Sequence, residues 1–132
     1  MQKLLIFFSF FVFAFVDLSK AEEIKILYKL ENEIITNQDV INELNYLVSL
    51  NNNLTSLEKK KLNQIAVSSA IKEKIKYLEL KKYFKIEDST TEVDSIVLKE
   101  LNKRLGTDDQ ENIRQHFAYY NLDLNQVKFK MR

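Results

Sequence analysis

The stretch Ile24-Lys25-Ile26-Leu27-Tyr28-Lys29-Leu30-Glu31-Asn32-Glu33-Ile34-Ile35-Thr36-Asn37-Gln38-Asp39-Val40 decides how this chain is read. Ile24, Ile26, Tyr28 and Leu30 alternate with Lys25 and Lys29, the period of two of a strand with one apolar face. Glu31-Asn32-Glu33 is a polar turn, and Ile34-Ile35 returns to apolar residues, so a short strand or hairpin is expected. Thr36 then stands three residues before Asp39. The hydroxyl can accept from an orphan backbone N–H of the next helix while the carboxylate reaches back, which is a capping box. Behind it Val40, Ile41, Leu44, Leu47 and Val48 form one helical stripe. Asn51-Asn52-Asn53 ends that helix.

The same punctuation recurs downstream. Thr55-Ser56-Leu57-Glu58 reads as a second cap and opens a long helix expected to reach Phe84. Its apolar residues fall into two groups on the helical wheel. Leu62, Ile65, Ala66, Ala70, Leu80 and Phe84 lie on one side; Val67, Ile71, Ile75 and Leu78 lie nearly opposite. Two stripes predict a central helix packed from both sides. Ser89-Thr90-Thr91-Glu92 caps a third helix carrying Val93, Ile96, Val97 and Leu101, which stops near Gly106. Thr107-Asp108-Asp109-Gln110 caps a fourth with Ile113, Phe117 and Tyr120. Asp123-Leu124-Asn125-Gln126 caps a fifth around Val127. That last helix is short, and short helices are marginal without packing, so it is expected to need a partner beyond Arg132. The expected fold is mainly α: a short N-terminal strand or hairpin, then about five helices with a long central one.

Composition agrees with helices. The chain has one glycine, Gly106, and no proline, whereas a sheet-rich fold leans on both at its turns. The absence of cysteine removes disulfides, thiolate catalysis and Cys-based metal sites. His116 is the only histidine. A zinc site or a Ser-His-Asp triad therefore lacks partners, and a packed structural histidine is the simpler reading. One glycine cannot build a phosphate loop. Asp108-Asp109 is explained by the helix dipole without a metal, and Asn53-Leu54-Thr55 by a loop and cap without glycosylation. Neither a cofactor nor a metal is expected.

The first 21 residues have the three parts of a secretory signal. Lys3 is the basic n-region, Leu4–Val16 is an uncharged run with six phenylalanines, and Ser19-Lys20-Ala21 supplies small residues for cleavage after Ala21. The run is short for a span, which needs roughly 20 residues, so no stable membrane insertion is expected; a retained anchor is the alternative. The domain is then 22–132, in the periplasm. The whole chain carries 20 basic and 19 acidic residues; losing Lys3, Lys20 and Asp17 balances them. A balanced charge argues against a nucleic-acid partner. Acids dominate 22–55 and 87–123, bases 56–86, so the basic central helix is expected to sit against acidic neighbours.

Three features in this order resemble the N-terminal region of SurA-type periplasmic chaperones. The first is Ile26–Val40, similar to that family's valine-rich strand, Asn-Asx-Glu-x-Ile-Thr and x-x-Asp-Val. The second is the Lys-rich end of the long helix with a following isoleucine, Leu78 to Ile86. The third is Thr91-Glu92-Val93-Asp94 followed by two short capped helices. The resemblance covers nearly all of 22–132. Where the family often has glycine, this chain has Tyr83-Phe84-Lys85 and Tyr120-Asn121; asparagine is the usual substitute where φ is positive. No part of the chain looks like the family's parvulin prolyl-isomerase domains.

The resemblance implies an ATP-independent chaperone module that holds unfolded outer-membrane protein segments, with no enzymatic activity in these residues. The alternatives are the front part of a longer parvulin-type prolyl isomerase, or a self-associating helical adaptor that forms a homodimer. Tyr46, Tyr77, Tyr83, Phe84, Phe117, Tyr119 and Tyr120 are the candidate client-binding residues. The tyrosines do not fit one helix stripe, and exposed tyrosines offer contact area at small entropic cost. Ordinary boundary packing is the competing explanation for each.

Overall fold

A computed structural model describes residues 23–85 and 91–132. The proposed signal segment, and Ile86, Ser89 and Thr90 of the readings above, lie outside the described residues. The architecture is mainly helical, a two-stranded hairpin followed by five helices. The hairpin is β1 (Ile26–Leu30) and β2 (Glu33–Thr36); the helices are α1 (Asn37–Leu50), α2 (Lys59–Tyr83), α3 (Thr91–Leu105), α4 (Gln110–Tyr119) and α5 (Leu124–Met131).

The strands are antiparallel, with Leu30 opposite Glu33 across a two-residue loop, and Glu31 in that loop has φ +52°. The register shifts between Ile26 and Tyr28, so Leu27 is an extra residue on β1. A bulge of this kind breaks the alternation of side chains. The expected apolar face of β1 is mostly uncovered: Ile24, Ile26 and Tyr28 are exposed, as are Leu27 and Ile34, while Leu30 packs against a core cluster. Ile35 of β2 carries the hairpin's burial. Asn37 fastens the strand's start, its Oδ1 accepting from the Lys25 N–H at 2.7 Å and its Nδ2 donating to the Glu23 carbonyl at 3.0 Å.

The Thr36 capping box is present. Thr36 Oγ1 accepts from the Asp39 N–H, and Asp39 Oδ2 accepts from the Thr36 N–H at 2.7 Å. The cap read at Thr55–Glu58 is different in the fold. Asn52–Ser56 forms a 3₁₀ turn, and the Thr55 and Ser56 hydroxyls donate back to the Asn52 and Asn53 carbonyls. Their hydroxyls are thereby turned away from α2, which starts three residues later than the box would have it, at Lys59, with Glu58 as an N-cap that makes no side-chain bond. The caps of α4 and α5 are Asp109 and Asp123, each accepting from two backbone N–H groups. Asp109, not Thr107, therefore holds the start of α4. Gly106 ends α3 at φ +67°, and Asn121 ends α4 at φ +56°. The Leu122 N–H reaches the Phe117 carbonyl and the Asn121 N–H the Ala118 carbonyl, the paired bonds of a Schellman ending.

Two apolar clusters hold these pieces. Ile35, Val40, Ala66 and Ala70 form one, with Leu30, Leu44, Val67 and Ile71 against it. Val97, Leu101, Ile113, Phe117, Leu124 and Val127 form the other, joined by Tyr46 and Leu50 of α1. The helix used on both sides is thus α1, not α2. Val40 and Leu44 serve the first cluster, Tyr46 and Leu50 the second. The expectation of a doubly packed α2 fails for a local reason. Val67 and Ile71 reach the hairpin, but Ile75, Leu80 and Phe84 on the two stripes stay exposed as the helix runs on past its neighbours. The short α5 does have partners. Leu124 and Val127 are buried against α3 and α4, and Arg132 bonds Asp94 of α3 at 2.6 Å. Of the described α2 lysines, Lys74 alone reaches an acid on another element, Glu33 at 3.0 Å. The basic helix is therefore mostly solvated rather than matched to acidic neighbours.

Candidate functional site

Beyond the clusters, α1, α2, α5 and β2 leave an open groove of about 510 Å³. The two cores share α1, whose Val40 and Leu44 serve one and Tyr46 and Leu50 the other. Ala66 and Ala70 let α2 come close to α1, and the same stripe then continues through Glu73, Tyr77 and Leu80 along the groove. These five positions are spaced by four, three, four and three residues, so they share one face. Across the groove α5 presents Val127, Phe129 and Lys130, and α1 presents Asn42, Glu43 and Tyr46. The Tyr77 and Phe129 rings lie 6.5 Å apart with a tilt of 56°, within the range where aromatic pairs attract.

A polar cluster forms part of the wall. Glu43 is 3% exposed, and a buried carboxylate is costly unless paired and hydrogen-bonded. Both its oxygens are engaged. Ser69 Oγ donates to Oε1 at 2.6 Å, and Lys130 Nζ contacts Oε2. The Lys130 ammonium also lies 4.4 Å from the centre of the Tyr46 ring, a cation–π distance. Burial pushes Lys130 down to about 8, because the charged form is the one disfavoured away from water. Burial raises the Tyr46 hydroxyl; the Glu73 carboxylate adds to the rise and Arg104 opposes it. Serine, lysine and carboxylate here satisfy one another, so the cluster ties α5 to α1 and α2 and forms a fixed wall.

The sequence-based candidates scatter. Tyr46 and Tyr77 line the groove. Tyr83 and Phe84 are exposed at 76% and 65%, at the far end of α2 beyond the groove's last α2 residue, Leu80. Phe117 is 0% exposed at the centre of the second cluster; its side chain has no surface to offer a client and is a core residue. Tyr119 is 81% exposed on α4, with Tyr120 beside it at 5.1 Å between ring centroids, away from the groove lining. His116 packs edge-on against Phe117 and donates from Nε2 to the Ser49 carbonyl at 2.8 Å, joining α4 to the end of α1.

Leu80, Phe129, Glu43, Glu73 and Lys130 were not singled out as site residues from sequence. Leu80 and Glu73 had a signal, since they continue the Ala66–Ala70 stripe. Glu43 also had one: it interrupts the apolar face of α1 three residues after Val40. Phe129 and Lys130 had none, because the placement of α5 depends on tertiary packing. Among the described residues no group of three potential metal ligands converges, and no helix is long and apolar enough to cross a membrane. No protein-family model, curated protein or solved structure matches the chain.

Proposed function

We propose that the chain is an exported, ATP-independent chaperone module that holds extended apolar segments of unfolded proteins, outer-membrane proteins among them, in the groove between α1, α2 and α5. The observation that carries this reading is the groove itself. A lining in which Tyr46, Tyr77, Leu80 and Phe129 are left partly uncovered is costly in water, and concave apolar sites with a few polar groups are where ligands bind. A peptide strand laid there would bury apolar area at roughly 25 cal/mol per Å², less the ordering of the peptide. Such binding is reversible and needs no chemistry.

Export on a cleaved signal rests on the sequence of residues 1–21, and its test is the N-terminus of the protein recovered from cells: Glu22 supports it, and Met1 contradicts the cleavage. The chaperone reading is tested by light scattering. The protein at a few-fold molar excess is expected to suppress aggregation of an unfolded outer-membrane β-barrel protein. Tyr77→Ala combined with Phe129→Ala should lose most of that effect and Tyr119→Ala none. No suppression by the parent protein contradicts the reading.

One observation favours a second reading, self-association through the hairpin. Ile24, Ile26, Tyr28 and Ile34 leave apolar side chains exposed on a two-stranded sheet, and open sheet edges invite pairing. A stable dimer by sizing at micromolar concentration supports it; a monomer that stays folded removes it.

A further inference from the structure

Most charges lining the groove are already matched. Glu33 is paired with Lys74, Glu43 with Lys130 and Ser69, Asp39 with Thr36, and Arg132 with Asp94. Among the described residues, Glu73 is the lining carboxylate that makes neither a hydrogen bond nor an ion pair. It sits between Ala70 and Tyr77 on the groove-facing stripe of α2, half-buried, electrostatically coupled to Tyr46 across the gap. A carboxylate partly withdrawn from water and left without a donor gains more from an incoming cation than an exposed one does. The aromatic faces beside it already attract ammonium groups. Lys130 lies over Tyr46, and Lys81 lies 5.7 Å from the centre of the Tyr77 ring.

We propose that the groove prefers segments carrying a lysine or arginine among their apolar residues, with Glu73 receiving the cation. This inference rests on the reading of the groove as a polypeptide-binding site. Lys76 at the lip does not set the opposite preference. It is exposed, and a surface pair there adds little. The predicted selectivity is for cationic apolar segments over neutral ones of the same shape. Acidic ones are the most disfavoured, because they bring a like charge to an unpaired carboxylate.

The test uses two short fluorescein-labelled peptides of alternating valine, serine and tyrosine, one with a central arginine and its twin with citrulline, which keeps the shape and removes the charge. By fluorescence anisotropy at low salt the arginine peptide is expected to bind about tenfold more tightly, the effect of one charge-assisted contact. Glu73→Gln should abolish the difference by weakening the arginine peptide toward the level of its citrulline twin; Lys76→Gln should preserve it. Equal binding of both peptides to the parent protein overturns the cation preference and leaves the groove reading standing. Discrimination that survives Glu73→Gln overturns the assignment of Glu73. Failure of both peptides to bind overturns the groove reading and this inference with it.

Discussion

The side chain on which the arrangement turns most sharply is Glu43. It is buried on α1 and held by Ser69 of α2 and Lys130 of α5, so one carboxylate joins three helices. Removing a partner from such a pair leaves an uncompensated buried charge. Lys130→Met is therefore expected to cost about 3–5 kcal/mol in urea unfolding, while Glu43→Leu together with Lys130→Met should recover most of it, since apolar replacement of a whole buried pair is often neutral. Titration offers an independent check. Lys130 is pushed down to about 8 by burial, against an ordinary lysine value near 10.4. Between those values the unfolded chain binds more protons at this site than the folded one. The site's contribution to stability therefore rises with pH across that window and is flat below about 8. Side-chain NMR should find the Lys130 midpoint well below those of the exposed lysines. A midpoint at or above theirs would mean that the Glu43 carboxylate outweighs burial. Position by position, Glu43 was legible only as a break in an apolar stripe. Lys130 was not legible at all, because nothing in sequence says which way the last helix faces.

At the level of elements, the polar punctuation carried most of the information. Thr36 with Asp39, Asp109 and Asp123 begin helices where their side chains bond backbone N–H groups. Asn121 takes the positive φ that glycine would. These signals are local, so a sequence displays them. Thr55 and Ser56 misled because a hydroxyl beside a turn has two choices, and here each donates to the carbonyl three residues back. Asp123→Ala should weaken α5 by about 1 kcal/mol, seen as faster amide exchange in residues 125–131 with little change in α1. Glu31 is the hairpin's strained position, a bulky residue at φ +52°. Glu31→Gly is expected to raise stability by about 0.5–1 kcal/mol, relief of the left-handed strain exceeding the entropy glycine adds to the unfolded chain. A melting temperature that falls on this change would show that the loop relaxes to suit glutamate.

In the whole molecule, the two apolar clusters share α1, and the second half of α2 runs beyond both. Helical wheels could not foresee this. A wheel reports which side chains share a face, but not where the partner element ends. The two stripes of α2 were real in sequence, yet Ile75, Leu80 and Phe84 find nothing to bury them. The fold class was readable because it rests on caps, periodicity and the scarcity of glycine and proline. The groove was not, because it is the gap left by how α5 docks. Tyr46 and Tyr77 line it; Phe117 fills a core and Tyr119 faces water elsewhere.

The direct test of the groove as a polypeptide-binding site is residue-resolved NMR of the labelled protein titrated with an unfolded segment of an outer-membrane β-barrel strand. The account predicts saturable shifts at Asn42, Tyr46, Glu73, Tyr77, Leu80, Val127 and Phe129, with Tyr119 unmoved. Shifts confined to the hairpin or to the Tyr119 face, or none at millimolar peptide, would contradict it.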